Sequence, residues 1–113
     1  MRYALLVCVD ENTELSEEDM ERQYTEFMGF QDEMEARGVL VSRERLRPTS
    51  LSTTVRVRDE GLVVSDGPFA ETKEQIAGFD LLECADRDAA IEVAARHPTA
   101  RIGTFELRPL VWP

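Results

Sequence analysis

The chain has 113 residues, 42% of them hydrophobic, with 23 acidic against 13 basic side chains and a formal net charge of −10. This length and composition exclude a disordered class and predict a single domain (1–113) with one modest core. The negative charge repels phosphate backbones and anionic lipid, so we expect no direct nucleic-acid partner and no membrane partner.

The apolar run at the start of the chain is too short for a signal peptide and lacks a small-residue cleavage site. No stretch approaches the roughly 20 apolar residues that a membrane span requires. Cys8 and Cys84 have no metal-type spacing, and the strand order below keeps them too far apart to bond within one chain. These features predict a cytoplasmic protein with two free thiols.

Residues 2–9 predict a strand that is buried on both faces, since apolar side chains occupy consecutive positions instead of alternating with polar ones. One face carries Tyr3, Leu5, Val7 and Val9, and the other carries Ala4, Leu6 and Cys8.

A long helix follows, with Ser16 as its N-cap and Gly38 as its C-terminal stop. Its apolar stripe is rich in methionine and aromatic residues, which allows two interpretations. Such a stripe can form a ligand surface, but packing of the helix on a sheet explains it without further assumption, and we favour packing. The stripe comprises Met20, Tyr24, Phe27, Met28 and Met34.

Residues 39–46 predict the second strand, and residues 53–64 a hairpin that turns at Gly61. Its alternation predicts that Val55 and Val57 face inward while Arg56 and Arg58 face outward. The third strand of the main sheet (76–84), a second helix capped by Asp86 and a last strand (102–111) complete the chain.

Without the hairpin, the order is strand, helix, strand, strand, helix, strand. This order is typical of an α+β, ferredoxin-like fold, an antiparallel sheet with two helices on one face. Two helices cover only that face, although the first strand is apolar on both. The bare face therefore predicts a partner.

The stretch between the hairpin and the third strand reads Asp66-Gly67-Pro68-Phe69-Ala70-Glu71-Thr72-Lys73-Glu74-Gln75. Gly67 and Pro68 predict a turn, and the apolar Phe69 is expected to anchor this turn in the core. Together with Gly78-Phe79, the stretch resembles the signature of the DGPF group of YCII-related proteins. The resemblance implies a dimeric α/β barrel, in which two sheets pack face to face in a homodimer.

His97 is the single histidine, and the predicted topology brings it to the same end of the domain as Asp66 and Glu71. It has two interpretations: a residue that ends the second helix before Pro98, or a general acid/base. The YCII family is similar in having a histidine–aspartate pair suspected of catalysis. On this basis Asp66, His97 and Glu71 are the catalytic candidates. The candidate substrate contacts are Gly67, Phe69 and Lys73, and Asp80 departs from the family pattern, which usually has an aromatic residue there.

The sequence lacks metal-ligand spacing, glycine-rich phosphate loops and nucleophile elbows, so we predict neither a metal nor a cofactor. Two functions remain. One is a small acid/base enzyme, of isomerase or lyase type, acting on a small organic molecule in a cleft beside the signature loop. The other, implied by the resemblance, is an accessory or sensor protein associated with extracytoplasmic-function sigma factors. An apolar pocket containing Asp66 and His97 would favour the enzyme, and an exposed signature loop would favour the accessory protein.

Overall fold

A computed structural model describes residues 1–111. Four strands form one antiparallel sheet in the order β2-β5-β1-β6, and β3 and β4 form a separate two-stranded sheet. This is the predicted α+β, ferredoxin-like arrangement with an inserted hairpin. The elements in chain order are β1 (Arg2–Val9), α1 (Glu17–Ala36), β2 (Leu40–Arg45), β3 (Thr53–Arg58), β4 (Gly61–Asp66), β5 (Gln75–Glu83), α2 (Arg87–Arg96) and β6 (Thr104–Pro109).

The central strand β1 has the predicted two apolar faces. Leu5 is fully buried and belongs to the core between the sheet and the helices. Leu6 points to the opposite face and is only half-buried, opposite Phe79 of β5 and Glu106 of β6. Within one chain, the second face of the sheet therefore carries apolar side chains that the helices do not cover.

Helix α1 begins and ends as predicted. The Ser16 hydroxyl accepts a hydrogen bond from the Asp19 backbone N–H at 3.0 Å, and Gly38 has a φ of 72° after the last turn. The predicted packing stripe is only partly correct. Phe30, which the stripe omitted, is buried together with Met34, whereas Tyr24 is 65% exposed.

The β3–β4 hairpin, here called the arm, pairs only with itself among the elements of the described chain. Val55 and Val57 are 59% and 71% exposed, so the prediction that they face inward is wrong. The alternation is present, but the arm does not lie on the sheet. The radius of gyration of 16.2 Å exceeds the roughly 13 Å typical of a compact domain of this length, as a projecting arm requires.

The signature loop between β4 and β5 is also exposed. Gly67 has a φ of 92°, which suits glycine, and its N–H donates to the Ser52 carbonyl at 2.8 Å. Phe69 is 82% exposed, and the expectation that it anchors the loop in the core is therefore wrong. The reason is again the arm, because it carries the start of the loop away from the core.

The C-terminal third of the chain agrees with the sequence except at the two ends of the last strand, which stops at Pro109 instead of 111. Asp86 caps α2 by accepting from the Ala89 N–H at 2.8 Å. The last strand starts at Thr104 instead of 102, since a 3-10 turn (Pro98–Arg101) follows the helix. Cys8 and Cys84 are unbonded, as predicted. Across residues 1–111, no helix combines the length and apolar character needed to cross a membrane.

Candidate functional site

A cavity of about 560 Å³ lies between α1 and the sheet, at the end of the domain where β1 finishes and β5 begins. One side is apolar and comes from the exposed part of the α1 stripe. The opposite side is polar and comes from β2, β5 and the residues after α2. The stripe therefore divides, because Met34 packs in the core while other members line a cavity. Those cavity residues are Met20, Tyr24, Phe27 and Met28.

The polar side is built on one cross-strand pair. Arg43 of β2 is the register partner of Asp80 of β5. Arg43 donates from Nε to Asp80 Oδ1 at 3.0 Å and from Nη2 to Asp80 Oδ2 at 3.3 Å. The side chains are 13% and 2% exposed, so this two-bonded ion pair is almost entirely removed from water.

His97, which follows α2, completes the polar side. Its ring is buried among Phe27, Phe30 and Phe105, with centroid separations of 4.8 to 5.2 Å. Nδ1 accepts a hydrogen bond from the Thr99 backbone N–H at 3.1 Å. The helix-end interpretation of this residue is therefore correct in one respect: His97 caps the 3-10 turn that follows α2.

The hydrogen bond to Nδ1 determines what the other ring nitrogen can do. A neutral imidazole has only one acceptor nitrogen, so Thr99 and a second donor cannot both donate to the ring. Nε2 lies 2.8 Å from Arg43 Nη2 and 3.6 Å from Asp80 Oδ2. Since Arg43 can only donate, a donor faces each ring nitrogen, Thr99 at Nδ1 and Arg43 at Nε2, whereas the 3.6 Å to the Asp80 carboxylate is longer than a hydrogen bond. The guanidinium therefore contacts both Asp80 and the imidazole.

Burial controls the ionisation of this cluster. Desolvation, reinforced by the positive charge of Arg43, lowers the pKa of His97 to about 3. Desolvation also raises the pKa of Asp80, and the hydrogen bonds and charge of Arg43 only partly offset this effect. At neutral pH the ring is therefore uncharged, which is opposite to the raised histidine pKa that a partnership with Asp66 would produce.

The structure separates the sequence-predicted site residues. His97 lies in the cavity wall, but its polar contacts within the described chain are Arg43, Asp80 and Thr99, so the predicted pairing with Asp66 is replaced by Asp80. Asp66 and Glu71 are exposed. The cavity is not lined by either of them, nor by the predicted substrate contacts Gly67, Phe69 and Lys73.

Sequence reasoning missed Arg43 and undervalued Asp80. Asp80 lies between Phe79 and Leu81 in an otherwise apolar strand, and a charge at such a position requires a buried partner. That signal was available from the sequence. The identity of the partner was not, because it depends on the register between β2 and β5, which contains a shift between Leu40 and Ser42.

A second groove of about 510 Å³ lies between α1 and residues 95–101. Exposed ion pairs cross it, Arg96 to Glu33 at 2.6 Å and Arg101 to Glu26 at 2.7 Å. Both pairs are exposed, and the buried polar side chain that lines this groove is His97, which also lines the first cavity. Within residues 1–111, no group of three or more histidine, cysteine or carboxylate side chains is arranged to hold a metal ion.

Comparison with known proteins agrees with the resemblance seen in the sequence. The family described as the YCII-related domain matches residues 1–112. An uncharacterized protein of Rhizobium meliloti (strain 1021) is 39% identical over 114 residues, which cover 97% of this chain and 92% of that protein. The chain belongs to the YCII-related family.

Proposed function

We propose that the protein binds a small organic molecule in the cavity beside Arg43, Asp80 and His97 and performs acid/base chemistry on it, of isomerase or lyase type. One observation carries this proposal: a buried ion pair and a buried neutral histidine meet at the wall of a cavity that is otherwise largely apolar. The cleft proposed here is formed by α1 and the sheet, not by the signature loop.

This buried cluster contributes little to the stability of a small domain. Desolvating a carboxylate and a guanidinium costs several kcal/mol per ion, and apolar replacements of similar volume are often as stable or more stable. Groups with perturbed pKa values in a cleft are candidates for function for the same reason. The arrangement is therefore better explained by a chemical role than by packing.

Each group has a role that its surroundings support. The Asp80 carboxylate, whose pKa is raised by burial, can accept a proton from a carbon next to a substrate carbonyl. The C–H electron pair then forms an enolate, and the Arg43 guanidinium can stabilise its oxygen. An isomerase returns the proton to another carbon, and a lyase expels a leaving group. His97 positions Asp80 and Arg43 and remains uncharged.

Exchange of substrate protons tests this proposal without knowledge of the natural substrate. A panel of small ketones, keto acids and unsaturated acids is incubated in D₂O with the protein, and loss of the α-proton signal is followed by NMR. We expect exchange above the buffer rate for some members of the panel. Asp80→Asn should abolish it, whereas Asp66→Asn, a matched carboxylate-to-amide change in the signature loop, should leave it unchanged.

Two outcomes contradict the proposal. If Asp66→Asn loses the exchange and Asp80→Asn keeps it, the group that accepts the proton lies in the signature loop. If wild-type protein with an intact circular dichroism spectrum gives no exchange for any member of the panel, the acid/base part of the proposal is wrong.

The exposed signature loop favours a second candidate function, an accessory or sensor role through protein contacts. Phe69 and the arm valines Val55 and Val57 are all more than half exposed in one chain. Sedimentation of the protein mixed with a purified extracytoplasmic-function sigma factor would test the role that the resemblance implies. An association that Phe69→Ser removes would support it, and no association at micromolar concentration would argue against it.

A further inference from the structure

We infer that the cavity takes a small carboxylic acid with an apolar or aromatic body, its carboxylate bound by Arg43 and Arg45 and its body packed against α1. This inference rests on the proposed function and names the class of ligand for the same cavity.

Arg43 has one amino group to spare. Nε and Nη2 donate to Asp80, but Nη1 makes no hydrogen bond within residues 1–111. In this described part of the chain every fully buried side-chain nitrogen or oxygen has a partner, so Nη1 must be accessible. Because Arg43 lines the cavity, its two Nη1 N–H groups are donors available to a ligand there.

Arg45 supplies a second cation at the same place. It lies two positions after Arg43 in β2, on the same side of the strand, and it also lines the cavity. Its guanidinium lies 5.9 Å from the centre of the Phe27 ring, and that of Arg43 lies 5.0 Å from it. Both cations therefore approach one aromatic ring, and within residues 1–111 Arg45 has no ion-pair partner.

Besides Asp80, three carboxylates line the cavity, those of Asp10, Glu11 and Glu44, and the first two are held by hydrogen bonds from loop residues. Asp10 accepts from the Asn12 N–H at 2.9 Å, and Glu11 accepts from the N–H and hydroxyl of Thr49 at 2.9 and 2.7 Å. Asp80 is already paired with Arg43. Glu44 lies between Arg43 and Arg45 in β2, and strand alternation directs its side chain to the other side of the strand. Within residues 1–111 none of the four carboxylates is bonded to Arg45, so its charge is left for a ligand.

The remaining wall of the cavity determines the rest of the ligand. This wall presents aromatic rings and thioether side chains, which pack well against a planar or aliphatic body. The side chains are those of Phe27, Tyr24, Met20 and Met28. A carboxylate matches the donors of a guanidinium in geometry as well as in charge. A small acid with an apolar body satisfies both walls at once.

Methionine-methyl NMR provides the test, since the four methionines divide into reporters and controls. Met20 and Met28 line the cavity, whereas Met34 is in the core and Met1 is at the chain start. The probes are benzoate, phenylacetate and cyclohexanecarboxylate, each compared with its neutral amide. We expect saturable shifts of Met20 and Met28 only, with at least one acid binding about tenfold or more tightly than its amide, as charge-assisted bonds predict.

Substitutions of Arg45 and Arg47 test which positive charge binds the carboxylate of the acid. Arg45→Gln should reduce the affinity for the acid about tenfold and leave the affinity for the amide unchanged. Arg45→Lys should restore part of the loss. Arg47→Gln is the matched control, because it removes the same charge two residues further on and outside the cavity. Both positions are exposed, so these variants should fold.

The outcomes separate this inference from the function on which it rests. If the amides bind as tightly as the acids, or if Arg47→Gln weakens the acid as much as Arg45→Gln does, the ligand class is wrong and the cavity remains a binding site. If no probe shifts Met20 or Met28, neither the ligand class nor small-molecule binding in this cavity stands.

Discussion

Arg43 and Asp80 face each other across adjacent strands and form two hydrogen bonds, of 3.0 and 3.3 Å, on the helix-covered side of the sheet. The pair is buried, and each partner is the main compensation for the charge of the other. The stability of the fold should therefore depend on keeping or removing both charges together.

We predict that Asp80→Asn lowers the free energy of unfolding by about 3 to 5 kcal/mol, since it leaves a buried guanidinium without its counter-charge. The double variant Arg43→Met with Asp80→Leu should be much less destabilised, because it removes both charges and fills similar volume. Urea denaturation of the single variants Arg43→Met and Asp80→Leu and of the double variant measures the coupling. Additive losses would mean that the two side chains do not depend on each other.

The low pKa of His97 predicts acid-dependent stability. In the unfolded chain the pKa returns to near 6.5, whereas in the folded state it is about 3, so the unfolded state binds the proton more readily between these values. The stabilisation from the neutral ring is complete above pH 6.5 and is lost as the pH falls. The expected loss is about 2 kcal/mol between pH 7 and pH 5.

Comparison of wild type with His97→Gln isolates this contribution. The raised pKa of Asp80 acts in the opposite direction at acidic pH, because protonation of Asp80 favours the folded state. Wild type and His97→Gln both retain Asp80. The difference between their urea midpoints, compared at pH 7 and at pH 5, therefore measures the contribution of the histidine to the pH dependence of stability. His97 is the single histidine, and its ring signals should not titrate near pH 6.5 in folded protein. A midpoint near 6.5 would contradict the buried, neutral ring.

The fold could be predicted from the sequence because its elements are encoded locally. Ser16 and Gly38 mark the ends of α1, and Asp86 marks the start of α2. The order of the elements then leaves few ways to arrange four strands and two helices. The two helices and the strands of the main sheet were placed to within one or two residues.

The site could not be predicted in the same way, because it depends on the register between β2 and β5, and the exposure of the signature loop depends on where the arm lies. Arg43 meets Asp80 only through the pairing of β2 with β5, which has a shift in it. Val55 and Val57 alternate correctly, but alternation shows only that one side of the arm is apolar, not that this chain covers it. The signature stretch drew attention to Asp66, whereas the buried charge that the core must accommodate is Asp80.

The uncovered face of β1 leads to a prediction about assembly. We expect the protein to form the homodimer predicted from the sequence, with half-buried Leu6 at the contact between two sheets. Leu6→Glu should give a folded monomer in size exclusion with light scattering. Leu5→Glu is the control on the other face, and it should prevent folding because Leu5 is fully buried in the core. A monomeric wild type at micromolar concentration would contradict the prediction.

Replacing glycine with alanine should have opposite effects on the free energy of unfolding at Gly78 and at Gly29. A Cβ on Gly78 of β5 would lie 2.7 Å from the backbone carbonyl oxygen of Glu44 in β2, closer than real Cβ contacts allow. Gly78→Ala should therefore separate these strands beside the Arg43–Asp80 pair and destabilise the fold by about 1 to 3 kcal/mol. Gly29 is inside α1, and a Cβ there meets no heavy atom within 4 Å.

Gly29→Ala should accordingly stabilise the protein by about 1 kcal/mol, because alanine has the higher helix propensity. Urea denaturation of both variants gives the two signs directly. The Gly78 variant should also weaken any ligand that the cavity binds, since Gly78 is part of the cavity wall, whereas the Gly29 variant should not. Equal stabilisation by both substitutions would show that β2 and β5 can separate freely at Gly78, and the close strand approach would then have no part in holding Arg43 against Asp80.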